Sequence, residues 1–194
     1  MLVCLTVVTS DAREVSPNEI IQEAVDLLAE GLDQRHDELS ADKDALYTFI
    51  DGILTPRFER EFAARAVLGR HWKAASEEQK SRFIEAFYVT LLQRYADGIL
   101  EFDTDRVDIR PFRGDAKGRY STVKTAIRLD DGTTVAVHYD LVRAKDEWRM
   151  YNVKIEGVSY VKSFRTELDA EIRSTSLDAV IERLEDEAGS RADE

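Results

Sequence analysis

The chain has 194 residues, enough for one domain with a full core. Its 27 Lys and Arg against 39 Asp and Glu give a formal net charge of −12, and no Lys/Arg stripe stands out along the sequence. That balance argues against nucleic acid as a partner, and against lasting adhesion to, or stable insertion into, an anionic membrane. One cysteine, Cys4, allows no intrachain disulfide and no multi-thiolate metal site. The three histidines, His36, His71 and His138, are scattered, so no metal or cofactor is expected.

Residues 1–12 read as the remnant of a secretory signal peptide. Residues 1–8 are nearly all apolar, and Ser10-Asp11-Ala12 resembles a small-x-small cleavage site, although the basic leading region is missing. The apolar run is too short to span a bilayer. Residues 13–186 read as a single domain, since no repeat, linker or composition break interrupts them, and residues 187–194 as a polar tail.

Ser16-Pro17-Asn18-Glu19 predicts a helix start: Ser caps, Pro sits in the first turn and Glu closes a capping box. Ile20, Ile21, Ala24, Val25, Leu28 and Leu32 follow at helical spacing. The polar run Asp33 to Glu38 reads as an exposed helix end or a loop. Ser40 is the expected cap of a second helix carrying Leu46, Phe49, Ile50 and Ile53, which Pro56 ends. A third helix carries Phe58, Phe62, Ala66 and Val67, with Gly69 as its left-handed stop. Trp72 falls in the loop that follows.

Ser76-Glu77-Glu78-Gln79 is a second capping box. It opens a helix expected to reach about Asp97, with Gly98 as the stop. Phe83, Phe87 and Leu91 form one row on it, and Ile84, Tyr88, Leu91, Leu92 and Tyr95 an adjacent one. That face is wider than a two-layer contact needs. It fits a central core helix, or a helix with part of its face turned to a cavity.

After Gly98 the period changes to two. Val107 and Ile109 give a short strand that Pro111 ends. Val123, Thr125, Ile127 and Leu129 alternate with polar residues. Asp130-Asp131-Gly132-Thr133 is a hairpin signal. Val135, Val137, Tyr139 and Leu141 alternate next, and a turn from Ala144 to Glu147 leads into Trp148–Ile155. The result is an antiparallel meander with one apolar and one mixed face. Gly157 breaks it. Ser159 to about Arg173 reads as a helix with Val161, Phe164, Leu168 and Ile172 on one side. Leu177, Val180, Ile181 and Leu184 form a last short helix, polar and frayed from Glu185 on.

No Gly-x-Ser-x-Gly, P-loop or Gly-x-Gly-x-x-Gly motif is present. His138 and Asp140 share a strand face and form a conceivable dyad, but a solvated polar face explains them better. An enzyme is not expected.

The runs LGRHWKAASEEQKSRFIEAFYVTLLQRYA and WRMYNVKIEGVSYVKSFRTEL resemble the MlaC family. The matching positions include Leu68-Gly69, Trp72, Ser76, Gln79, Phe83, Phe87, Trp148, Glu156-Gly157-Val158-Ser159 and Phe164-Arg165. Asn152 departs from the pattern, which usually has Asp. The resemblance implies an α+β, NTF2-like cone: a curved antiparallel or mixed sheet of about four strands, covered by N- and C-terminal helices with an apolar pocket between. It implies a periplasmic carrier of diacyl phospholipid. The carrier would run between an outer-membrane lipoprotein–porin complex and an inner-membrane ABC transporter with MCE-domain subunits, and so maintain outer-membrane lipid asymmetry. The alternatives are an NTF2-like module for another small hydrophobic ligand, or a cone-fold enzyme. From the wide helix face and the apolar strand face, the candidate pocket residues are Phe83, Phe87, Leu91, Tyr95, Val123, Ile127, Val137, Tyr139, Val153, Val158 and Val161. By pattern each is equally a core residue.

Overall fold

The computed structural model describes residues 15–100, 106–115, 118–129 and 131–190. Residues 1–12, expected to be a signal remnant, and Cys4 with them lie outside the described residues. Four helices come first: α1 (Pro17–Ala41), α2 (Lys43–Leu54), α3 (Arg60–Leu68) and α4 (Glu77–Leu100). A meander follows, of β1 (Val107–Ile109), β2 (Tyr120–Arg128), β3 (Thr134–Ala144), β4 (Glu147–Ile155) and β5 (Val158–Ser159). Then come α5 (Tyr160–Ser174) and α6 (Leu177–Ser190). This is the expected α+β architecture.

Both capping boxes form. The Ser16 hydroxyl accepts from the Glu19 N–H at 3.3 Å, and the Glu19 carboxylate accepts from the Ser16 N–H at 2.7 Å. Ser76 and Gln79 exchange the same pair at 3.1 and 2.9 Å. Four boundaries differ from expectation. First, α1 continues through the polar run to Ala41, because Leu32 and Leu39 keep its buried stripe going and Arg35 donates two bonds to Glu38. Ser40 therefore lies inside α1, and Asp42 caps α2 by accepting from the Ala45 N–H at 3.0 Å. Second, Phe58 precedes α3. It bridges to Met150 while the Glu59 N–H donates to the Met150 carbonyl at 2.8 Å, covering part of the β4 edge.

Third, α4 passes through Gly98 to Leu100. Ile99 and Leu100 pack on the cluster of Leu46 and Ile50, which offsets the cost of about 1 kcal/mol for a mid-helix glycine. Fourth, α6 runs past Glu185 to Ser190. Arg82 of α4 donates to both Glu185 oxygens at 2.9 and 2.6 Å, and Arg183 bridges Glu171 and Glu187.

The strands lie in the order β1-β2-β3-β4-β5, all antiparallel. Lys145 and Asp146 (φ 50° and 67°) make the two-residue turn between β3 and β4. Glu156 and Gly157 (φ 49° and 79°) make another. That second turn adds β5, one strand more than the four expected. Opposite Asp140 and Leu141 the ladder shifts: Asp140 faces Asn152 but Leu141 faces Met150, so Tyr151 is the extra residue of a β-bulge. The bulge resets the alternation of β4. Trp148 and Met150 point to the helix side before it, and Val153 does so after it.

Among the described residues the interior is divided into three clusters. Phe83, Phe87, Phe164, Leu168 and Ile181 head one built by α3, α4, α5 and α6. Ile21 and Val25 of α1 pack on Val123, Leu141, Trp148 and Met150 of the sheet in a second. Leu32, Leu39, Leu46, Ile50 and Ala96 join α1, α2 and α4 in a third.

Candidate functional site

The structure separates the pocket candidates into groups. Phe83 and Phe87 are inside the helical cluster, 0% and 2% exposed. Their rings stack at 5.4 Å, and Phe87 meets Phe164 edge-on at 5.3 Å. Leu91 and Val161 lie at the margin of that cluster, partly buried. Tyr95 is more open and meets Tyr160 edge-on at 5.0 Å. Val158, on β5, is exposed and joins neither group.

Val123, Ile127, Val137, Tyr139 and Val153 do come together, on the sheet face turned to the helices. Pairing sets them in ordered rows: Val123 opposite Tyr139, opposite Val153; then Thr125 opposite Val137, opposite Ile155; then Ile127 opposite Val135. Val135 and Ile155 were absent from the candidate list, although their strand alternation carried the signal. Only part of this face is packed shut. Val123 is fully buried and Val137 nearly so, yet Ile127, Val135, Tyr139, Val153 and Ile155 keep accessible surface.

Tyr139 is the informative member. Burial pushes its phenol pKa up, with the Thr125 hydroxyl working against that shift. It is thus largely enclosed by protein while keeping some accessible surface.

The opposite sheet face is polar. Asp140 is 7% exposed and Asn152 5%. Asp140 accepts from Thr122 (2.8 Å), the Asn152 amide (2.8 Å) and the Lys154 ammonium (2.8 Å). Its bonds thus go to Thr122, Asn152 and Lys154, and no dyad with His138 forms. The Asn152 carbonyl oxygen accepts from the Ser159 hydroxyl and the Val161 N–H, both at 3.1 Å, tying the start of α5 to the sheet. Beside this network lies a cleft of about 820 Å³, bordered by Asn18, segment 110–114 and the outer faces of β2, β3 and β4. Nothing in the sequence announced it, because its walls come from five separate stretches.

Among the described residues, no group of three or more His, Cys, Asp or Glu gathers to hold a metal ion. None of the described helices is long and apolar enough to cross a membrane.

The class these features define is an α+β domain with an open, curved antiparallel sheet under helices. A solved structure of a phospholipid-binding protein from Ralstonia solanacearum, in complex with a phospholipid, has the same fold. Its TM-score is 0.80 at 19% identity, over 91% of this chain and 98% of that one. The MlaC protein family model matches residues 22–186, and the chain belongs to that family. The intermembrane phospholipid transport system binding protein MlaC of Haemophilus influenzae is 22% identical over 97% of this chain and 89% of its own length. A toluene tolerance protein of Pseudomonas putida is 25% identical over 77% of this chain and 70% of its own.

Proposed function

We propose that this protein is a periplasmic carrier of diacyl phospholipid, holding the acyl chains between the inner sheet face and the helices. The observation that carries this reading is the accessible surface of Tyr139, Val153, Ile127 and Ile155 on the apolar sheet face turned to the helices. Family membership supports it, as does the phospholipid complex of a protein of the same fold. In this reading Val137, Leu91, Tyr95 and Val161 complete the lining, and the three separate core clusters bound the hollow. The lipid is exchanged with an outer-membrane lipoprotein–porin complex and an inner-membrane MCE-domain ABC transporter, in the service of outer-membrane asymmetry.

The energetics suit a shuttle. Each methylene withdrawn from water contributes about 0.8 kcal/mol, so roughly thirty methylenes contribute on the order of 24 kcal/mol. A bilayer offers nearly the same gain, so transfer between the two is close to balanced. The protein needs no nucleotide site of its own, and a head group left in water needs no buried partner.

Native mass spectrometry of the purified protein tests the reading. The wild type should carry the mass of a two-chain phospholipid. Val153→Trp, which fills the space beside Tyr139, should lose that mass while keeping its circular dichroism spectrum. An empty wild type, or a Val153→Trp variant with full lipid load, would overturn the proposal. The mass of a smaller apolar ligand would identify a different binding module.

A further inference from the structure

From the outer face of the sheet we infer a second binding site, an acidic-peptide dock, on the side away from the hollow. Strand pairing sets Lys124 opposite His138 and His138 opposite Lys154. The Arg110 N–H donates to the Lys124 carbonyl at 2.9 Å, so Arg110 continues the same row across the β1 side. Lys124, His138 and Lys154 on β2, β3 and β4, with Arg110 one residue past β1, thus lie in one line. Arg110 and Lys124, both positive, lie side by side in it, and neighbouring like charges on a sheet repel one another. Arg110, Lys124 and Lys154 all border the cleft of about 820 Å³, and Arg113 reaches it from segment 110–114.

Two of these charges are already matched. Arg110 pairs with Asp108 at 3.1 Å and Lys154 with Asp140 at 2.8 Å. Arg113 and Lys124 form no ion pair among the described residues. In a chain of net charge −12, this is a place where the local sign reverses, and electrostatic complementarity then selects an anionic partner. Shape selects among anions. Three strand spacings make the row about 14 Å long, the span of four or five extended residues. A single phosphate would meet only a fraction of it. Lasting contact with a flat anionic bilayer is disfavoured by the net charge of −12. Tyr120 and Tyr151, held by Phe62 of α3 at 6.1 and 4.7 Å, add aromatic walls against which a peptide backbone can lie. An acidic segment of a protein partner fits all of these features.

The test uses the isotope-labelled full chain and a hexaglutamate peptide, with hexalysine as control, followed by amide chemical shifts at low and high salt. Hexaglutamate should perturb residues 110–114, 120–124 and 152–154, and high salt should weaken the effect. The double variant Arg113→Glu with Lys124→Glu should weaken binding by about tenfold, with unchanged thermal unfolding. Its lipid mass should match the wild type, because both residues face away from Tyr139 and Val153; this separates failure of the dock from failure of the carrier reading. Perturbations elsewhere, no perturbation, or no effect of the double variant would overturn the inference. So would charge-dependent binding to phosphatidylglycerol vesicles in the absence of any hexaglutamate binding.

Discussion

Phe87→Ala tests whether the helical cluster is solid. Phe87 is 2% exposed, stacked on Phe83 and edge-on to Phe164. Truncating a packed phenylalanine costs about 3–5 kcal/mol. Each of its two ring contacts contributes about 0.5–1.5 kcal/mol beyond buried area, which places this residue in the upper half of that range. For a chain of this length, about 2–4 °C of Tm is lost per kcal/mol, so a drop of about 8–20 °C is expected. Urea unfolding of the lipid-free protein, with the m-value unchanged, is the appropriate assay. Val153→Ala is the control: a partly buried valine at the margin of its cluster should cost only about 1 kcal/mol. If Phe87→Ala costs less than about 1.5 kcal/mol, its ring borders empty space. The division between a packed helical cluster and an open sheet wall would then be wrong.

Two further substitutions probe local chemistry. Asn152→Asp would set a second carboxylate against Asp140, 2.8 Å from the present amide donor, and the charge repulsion would raise its folded-state pKa. An acid whose folded pKa is raised loses stability as pH rises above the unfolded value near 4, and the loss levels off above the folded pKa. The variant should therefore be weaker than wild type by about 2–3 kcal/mol at pH 8 and recover near pH 4; a pH-independent difference in urea midpoints would contradict the network. Gly69→Ala meets no steric obstacle, its nearest neighbour being Arg165 at 3.5 Å, but its φ of +54° and ψ of −114° suit glycine alone. A cost of about 1–3 kcal/mol is expected by thermal unfolding, and a neutral result would mean that α3 can end differently.

Local signals in the sequence were strong where one short stretch decides the geometry. Ser16–Glu19 and Ser76–Gln79 each close a hydrogen-bonded ring within four residues, so both helix starts were legible. The β2–β3 and β3–β4 hairpins were legible for the same reason. Boundaries set by distant partners were not. Nothing near Gly98 indicates that Ile99 and Leu100 will dock on α2, and nothing near Glu185 points to Arg82. The candidate site divided along the same line. Alternation found Val123, Ile127, Val137, Tyr139 and Val153, because a strand has only two faces. On α4 the apolar band was too wide to say whether Phe87 met other helices or an opening. The basic row was invisible because its members are 14 to 16 residues apart along the chain and become neighbours only through register.

That register depends on one surplus residue. Tyr151 lets Trp148 and Val153, which differ by an odd number of positions, serve the same wall, and leaves Asn152 and Lys154 on the other side with Asp140. Removing Tyr151 itself would bring Trp148 and Val153 to an even separation, so both faces would keep their residues without the bulge, and what would be lost is the contact of Tyr151 with Phe62. A relative that lacks this one residue should therefore keep both surfaces on a straighter strand, whereas loss of a paired residue elsewhere in β4 would exchange the two faces over part of its length.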